Sequence, residues 1–286
     1  MFSIPNFFTA SNLICGVLGI IFSLSGRIDL APWLVFVALI CDFLDGFLAR
    51  KLKQASDLGK QLDSLADMVT FGVLPGVVCF ILLIISGANE IVHLPNSTVA
   101  SPWLSDSFGQ SINALIDLYV GDLTGNPITT APFHFYGWYL FVPFIALLIP
   151  FFSLFRLAKF NLDTRQSEQF IGLPTPANTL FFMAFPLMLW DGWGTTDWKS
   201  TISLLVLKDS ILTSFIVLFS FLLIAELPLI ALKFKTFKWK KNESRYILIM
   251  GSCILIMLLS LWSIPIIVFL YLILSIIDNS TKKIKK

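Results

Sequence analysis

Apolar runs about as long as a membrane-spanning helix follow one another along almost the whole chain, with short polar turns between them. A helix crosses the hydrocarbon core of a bilayer with about 20 consecutive, predominantly apolar residues. By that measure the sequence predicts spans at roughly 6–26, 31–54, 59–87, 137–160, 172–193, 208–232, 245–262 and 264–279. The last two are divided at Trp262-Ser263-Ile264-Pro265, because the stretch is too long for one span and Pro265 suits a helix start or a kink. The expected fold is an all-α, polytopic membrane bundle of about eight helices, with seven as the alternative. It forms a single domain over residues 1–286: a core at about 4–232, an outer loop at 88–136 and additional helices at about 245–279. The outer segment is rich in Pro, Ser, Asn and Gly and is expected to carry at most a short surface helix near 108–120.

Composition strengthens this reading. The chain is 56% hydrophobic and 13% charged, with a mean hydropathy of +0.83, whereas soluble domains hold about 45–50% apolar and about 25% charged residues. A soluble domain, a disordered chain and a secreted disulfide scaffold are therefore excluded. Cys15, Cys41, Cys79 and Cys253 all lie in apolar runs without paired spacing and read as small buried hydrophobes. The first apolar run lacks a preceding basic region and continues too far for a cleaved leader, so it reads as the first span. Seventeen of the twenty cations fall on one side of the predicted membrane, all but Arg27, Lys199 and Lys208. The positive-inside rule then places both termini and the turn after span two in the cytoplasm of a multi-pass protein, expected in the inner membrane. The basic run 233–245 and the tail 280–286 suit contact with anionic headgroups. The sequon Asn96-Ser97-Thr98 and the histidines His93 and His134, all in the outer segment, carry little functional signal.

Against this apolar background four acids stand out: Asp42, Asp45, Asp63 and Asp67. Ionisable groups within membrane spans are costly and mark functional sites by default. Asp42 and Asp45 are spaced i, i+3, and Asp63 and Asp67 i, i+4, so each pair shares one helix face. The helices are antiparallel across a polar turn of Arg50, Lys51, Lys53, Gln54 and Ser56, with Asp57 expected to cap the second. Four carboxylates meeting at one depth repel unless protons or cations lie among them. An all-oxygen donor set favours magnesium, manganese or calcium over zinc, and two ions sharing carboxylates suit phosphoryl chemistry. Gly46, Ala49, Gly59, Ser64 and Ala66 leave room for close backbone approach or for a flat ligand.

The run from Asp42 to Asp67 reads D-x2-D-G-x2-A-R-x8-G-x3-D-x3-D. It resembles the signature of the CDP-alcohol phosphatidyltransferases, membrane enzymes that displace CMP from a CDP-linked lipid or alcohol. The resemblance implies that Asp42, Asp45 and Asp63 ligate a divalent pair, with Asp67 near the second ion and acting as general base on the attacking hydroxyl. It implies that Gly46 leaves room for the nucleotide and that Arg50 and Ser56 hold its phosphates or ribose. Asn6 and Thr9, in IPNFFTASN, resemble the entry segment that reaches the cytidine.

The shared motif does not name the acceptor. The stretch DSLADMVTFGVLP from Asp63, FRLAKFN from Phe155 and GLPTPA from Gly172 resemble the serine-transferring branch of the family. That implies CDP-diacylglycerol and L-serine as substrates, with Arg156 and Lys159 toward the serine carboxylate and Asn161 toward its ammonium; Thr175 and Asn178 are weaker candidates. Glycerol phosphate or inositol phosphate are the alternative acceptors, since Lys60, Arg156, Lys159 and Arg165 supply cations for a phosphate. A divalent-ion transporter is the alternative of another class. It would spread carboxylates through the membrane's thickness and leave Arg50 and Ser56 without purpose. No nucleic-acid partner is expected, and the resemblance suggests a homodimer. Glu226 is placed within span six, next to an unnamed polar partner, and neither the outer segment nor the two C-terminal spans is expected to touch the site.

Overall fold

The computed structural model describes residues 3–92, 108–162, 170–193, 195–230 and 242–284. Helix α1 (Ile4–Leu24) starts where the Ser3 hydroxyl accepts the Asn6 amide, with Pro5 in the first turn. It buries Pro5, Thr9, Asn12, Gly16, Gly19 and Ser23 and exposes Ile14, Val17 and Ile21. That stripe of small and polar residues faces protein while the large apolar ones face outward, the inverse of a soluble amphipathic helix. In lipid no hydrophobic gain follows from burying leucine, so interfaces form where small residues let backbones approach. A Cβ on Gly16 would lie 2.9 Å from the Thr70 Cα, and one on Gly19 2.7 Å from Leu74 Cδ2.

Helix α2 (Ala31–Lys51) ends in a turn where Lys53 takes a left-handed φ of 55°. Helix α3 (Asp57–Asp67) follows. Its cap is Ser56, whose Oγ accepts the Gly59 amide at 3.1 Å, and not Asp57, which stands in the first turn instead. The chain runs on through a π-helical stretch, Met68–Val73, into α4 (Leu74–Val92). Helix α1 packs against α2, α3 and α4 together, so it forms the floor beneath the α2–α3 turn.

Beyond α4 come α5 (Phe108–Thr124), α6 (Trp138–Phe141) and, after a 3₁₀ stretch, α7 (Leu148–Leu162). Helix α5 matches the expected short helix, but it is no mere surface element. Ile112, Leu115, Leu118 and Tyr119 are buried, and the Tyr119 hydroxyl donates to Leu140 O at 2.7 Å. Asp122 accepts both the Phe135 amide and a 2.8 Å contact from His134 Nδ1, which pins the loop that follows. Helix α8 (Thr175–Asp191) runs through the centre, its phenylalanines buried against α10 (Asp209–Ile224), with Phe181 and Phe219 stacked at 3.9 Å. Helix α9 (Trp198–Val206) meets α10 at a 60° bend. The expected span at 208–232 stops at Ile224, because Pro228 holds the chain extended and residues 228–229 pair instead with residues 170–171. This antiparallel ladder joins Phe170 to Leu229 and Ile171 to Pro228.

Helices α11 (Glu243–Leu259) and α12 (Ser263–Ile284) fold back on each other across Ser260, whose φ is 51°. The Ser244 hydroxyl meets Asp278 at 3.0 Å across the pair, and a Cβ on Gly251 would touch Leu270. Among the described residues, five helical stretches are long and apolar enough to cross a membrane, or six if α9 and α10 make one span. The bundle is thus a polytopic membrane fold; length and hydropathy give five or six candidate stretches among the described residues, one of them the α11–α12 pair, and do not confirm the count of eight. The sequon Asn96-Ser97-Thr98, His93, Arg165 and the run 233–241 lie outside the described residues.

Candidate active site

The site is built at the end of the bundle where α1 begins and α2 and α3 share their turn. A cavity of about 230 Å³ there is lined by Pro5, Asn6 and Thr9 of α1, Asp45, Gly46, Ala49 and Arg50 of α2, residues 54–56, and Gly59, Lys60 and Asp63 of α3. All five residues expected at the nucleotide, Asn6, Thr9, Gly46, Arg50 and Ser56, therefore line one space. Gly46 is bare on that side: a Cβ there would meet nothing nearer than the Arg50 guanidinium at 3.5 Å. Gly59 is tighter, with Ser56 Oγ at 3.2 Å and Asn6 Oδ1 at 3.4 Å.

Carboxylate oxygens of Asp42, Asp63 and Asp67 all lie within 4.8 Å of one another. Carboxylates gathered this closely call for a proton or a cation among them. Three full charges at such separations would repel by at least about 3.5 kcal/mol per pair at an effective dielectric constant near 20. The donor set is oxygen only, and the buried Asp63 Oδ1 has no protein partner. These features fit a hard divalent cation. Asp63 belongs to both the cluster and the cavity lining, which joins the two. Asp45 stands apart from the three: it is buried and its Oδ2 accepts the Thr9 hydroxyl at 2.6 Å. The same hydroxyl also lies 3.3 Å from Pro5 O, so Thr9 ties Asp45 to the first turn of α1.

Asn12 went unnoticed in the sequence. It is fully buried, donates from Nδ2 to Asp67 Oδ1 at 3.0 Å, and is itself held by Thr70, whose hydroxyl donates to Asn12 O at 3.0 Å. The signal that marks the aspartates, a polar side chain inside an apolar run, applies to it equally. The π-helical turn after Asp67 lets Thr70 face α1 while Phe71 O accepts the Thr179 hydroxyl of α8. Such irregular turns concentrate at functional sites.

The acceptor candidates divide. Arg156 is buried, its Nε donating to Leu173 O at 3.0 Å and its guanidinium lying 4.9 Å from the Phe160 ring centre, within electrostatic reach of Asp67. Lys159 instead reaches Glu226 at 2.9 Å. This supplies the partner that the sequence left open, and Glu226 stands past the end of α10, not within a span. Asn161 Nδ2 donates to Ser64 Oγ at 2.7 Å and its carbonyl accepts Lys60 Nζ at 2.9 Å, so it ties the end of α7 to α3. Thr175 and Asn178 are buried in the first turn of α8, and neither polar atom of the Asn178 side chain has a protein partner.

Residues 2–101, which carry all four aspartates and the whole cavity lining, match the family model described as CDP-alcohol phosphatidyltransferase. Over that segment the chain is similar to the CDP-alcohol phosphatidyltransferase family. The match and the apolar helices support an integral membrane transferase of phospholipid biosynthesis with CDP-alcohol phosphotransferase activity. Among its relatives, the CDP-diacylglycerol–serine O-phosphatidyltransferase of Helicobacter pylori is 26% identical over 279 residues, covering 97% of this chain and 91% of that protein. The protein of the same description from Bacillus subtilis is 46% identical over 77 residues, 27% of this chain and 44% of that one. An archaetidylserine synthase from Methanothermobacter thermautotrophicus is 25% identical over 188 residues, 65% of this chain and 58% of its own. The family match ends before α7, so Arg156, Lys159 and Asn161 lie outside it.

Proposed function

We propose that the protein transfers a phosphatidyl group from CDP-diacylglycerol to L-serine, releasing CMP, at a site on the cytoplasmic side of the membrane. The observation that carries this reading is the junction at Asp63 of a three-carboxylate cluster with a cavity lined by Asn6, Thr9, Gly46, Arg50 and Ser56. Asp42, Asp63 and Asp67, with Asp45 beside them, would hold one or two divalent ions, magnesium or manganese by the chemistry of the donors. Bound there, such ions neutralise charge on the pyrophosphate and the leaving CMP.

The protein's own groups perform the rest. Arg50 offers a planar fork to phosphate oxygens in the cavity, the bare face of Gly46 admits the nucleotide, and Asn6 stands at the α1 end for the base. The serine hydroxyl oxygen attacks the phosphorus that bears the diacylglycerol oxygen. As that P–O bond forms, the P–O bond to CMP breaks, CMP leaves with the electron pair, and the hydroxyl proton passes to Asp67. Asn12 fixes the Asp67 carboxylate by its 3.0 Å hydrogen bond, which leaves the second oxygen for this work. Arg156 supplies a cation for the serine carboxylate, and a buried, charge-assisted pair of that kind is stronger than a neutral hydrogen bond.

Similarity to the serine-transferring enzymes supports serine over other alcohols. Arg50 and Lys60 in the cavity lining, with Lys51 and Lys53 in the chain between them, support the cytoplasmic placement. Purified protein given labelled CDP-diacylglycerol should release CMP with serine and remain near background with glycerol phosphate, inositol phosphate, choline or ethanolamine. CMP release with glycerol phosphate but not serine would overturn the choice of acceptor.

A further inference from the structure

The two C-terminal helices lie beyond the segment matched by the family, and the sequence offered no reason for them to meet the site. The structure connects them to it through backbone. In α12, the Ser275 hydroxyl accepts the Ile230 amide at 3.2 Å, and the Tyr271 hydroxyl donates to Ile230 O at 3.3 Å. Ser275 is fully buried and Ile230 nearly so. Ile230 directly follows the two-residue strand 228–229, which pairs with residues 170–171. From that strand the ladder continues: Gly172 N donates to Leu227 O at 2.9 Å, and Leu173 N to Leu222 O at 3.0 Å. Leu173 O then accepts Arg156 Nε.

Two further observations show that this path is tightly built. Gly172 has a φ of 80°, and a Cβ there would stand 2.8 Å from Leu223 O and 3.0 Å from Ala225 O, so the Gly172–Leu173 backbone sits hard against the end of α10. Helix α12 is anchored beside it by Phe269, which packs edge-on against Phe181 at 5.4 Å and against Phe219 at 5.9 Å. The Leu173 carbonyl, and with it the direction of the Arg156 guanidinium, is therefore set by a strap whose far end is α12.

We infer that Tyr271 and Ser275 of α12 are positioning residues for the acceptor step, acting through residues 228–230 and the Leu173 carbonyl on Arg156. The inference rests on the reading of Arg156 as the acceptor's cation. It assigns the C-terminal hairpin to the alcohol substrate, while the cavity between α1, α2 and α3 handles the CDP half without it.

The test is a set of variants of the full chain in detergent: Arg156→Lys, Tyr271→Phe, Ser275→Ala, and each of the last two combined with Arg156→Lys. Tyr271→Phe and Ser275→Ala should each raise the KM for serine about three- to tenfold, the range set by one ordinary hydrogen bond. The KM for CDP-diacylglycerol, the kcat at saturating serine and the thermal unfolding midpoint should stay close to wild type. In the Arg156→Lys background the same changes should add little, because residues acting through one group are not additive. If Arg156→Lys leaves the serine KM unchanged, the assignment of Arg156 fails and the inference with it. If Arg156→Lys raises that KM while Tyr271→Phe and Ser275→Ala do not, the inference alone fails. A fall in kcat and in the unfolding midpoint, with a rise in both KM values, would show a merely structural role and also overturn it.

Discussion

Asp67→Asn is expected to lower CMP release by roughly 10²–10⁴-fold, the span typical of a lost general base, while the KM for CDP-diacylglycerol stays within a few-fold. The substitution keeps size and shape, and its amide oxygen can still accept the Asn12 Nδ2 hydrogen bond that Asp67 accepts at 3.0 Å. The helix register should hold as well, since the π-helical turn after Asp67 is fixed independently by Thr70 on Asn12 O and by Thr179 on Phe71 O. What disappears is a group able to take a proton, together with one negative charge of the three-carboxylate cluster, in which the amide oxygen still offers a donor. The CDP cavity is lined by Asp45 and Asp63 but not by Asp67, so donor binding should be spared. Steady-state kinetics with each substrate varied in turn would check this, and a variant retaining more than a tenth of wild-type kcat would show that the base lies elsewhere.

Removal of divalent ions is expected to bring turnover to background, and magnesium or manganese to restore it. Asp42, Asp63 and Asp67 hold oxygens within 4.8 Å of one another, which is unfavourable for three ionised groups in a partly buried setting and favourable once a cation lies among them. A ligand that binds only the folded state raises its stability by mass action. Adding manganese to chelated protein should therefore raise the unfolding midpoint, and Asp63→Asn should blunt both that rise and the recovery of activity. Full activity after exhaustive chelation, with no shift in unfolding on adding metal, would contradict the metal-assisted reading.

The parts of this molecule that were legible in the sequence share a physical cause. Aspartates are expensive in an apolar run, so Asp42, Asp45, Asp63 and Asp67 announce themselves, and their i, i+3 and i, i+4 spacing already implies a shared face. Asn12 obeys the same logic more quietly, since an uncharged amide is less conspicuous among Ile, Leu and Gly. Local signals also mislead where geometry decides: Asp57 suits a cap by residue type, but Ser56, with extended backbone, takes the role. Apolar composition alone ran span six on to residue 232, although the chain leaves the helix at Ala225 ahead of Pro228. The least legible features are pairings between distant residues. Lys159 meets Glu226 across 67 positions and Asn161 meets Ser64 across 97, and no periodicity encodes either. The ladder of residues 170–171 with 228–229 is of the same kind, and through it a C-terminal helix gains a connection to Arg156 that its position in the chain does not suggest.

The most direct test of the central claim follows the label into the product. Purified protein in mixed micelles would be given CDP-diacylglycerol, labelled L-serine and magnesium or manganese, with lipid-bound label and free CMP counted over the same interval. Transfer at this site predicts labelled phosphatidylserine and CMP in equal amounts, both abolished by Asp67→Asn. CMP release without label in lipid, or incorporation that survives Asp67→Asn, would contradict it.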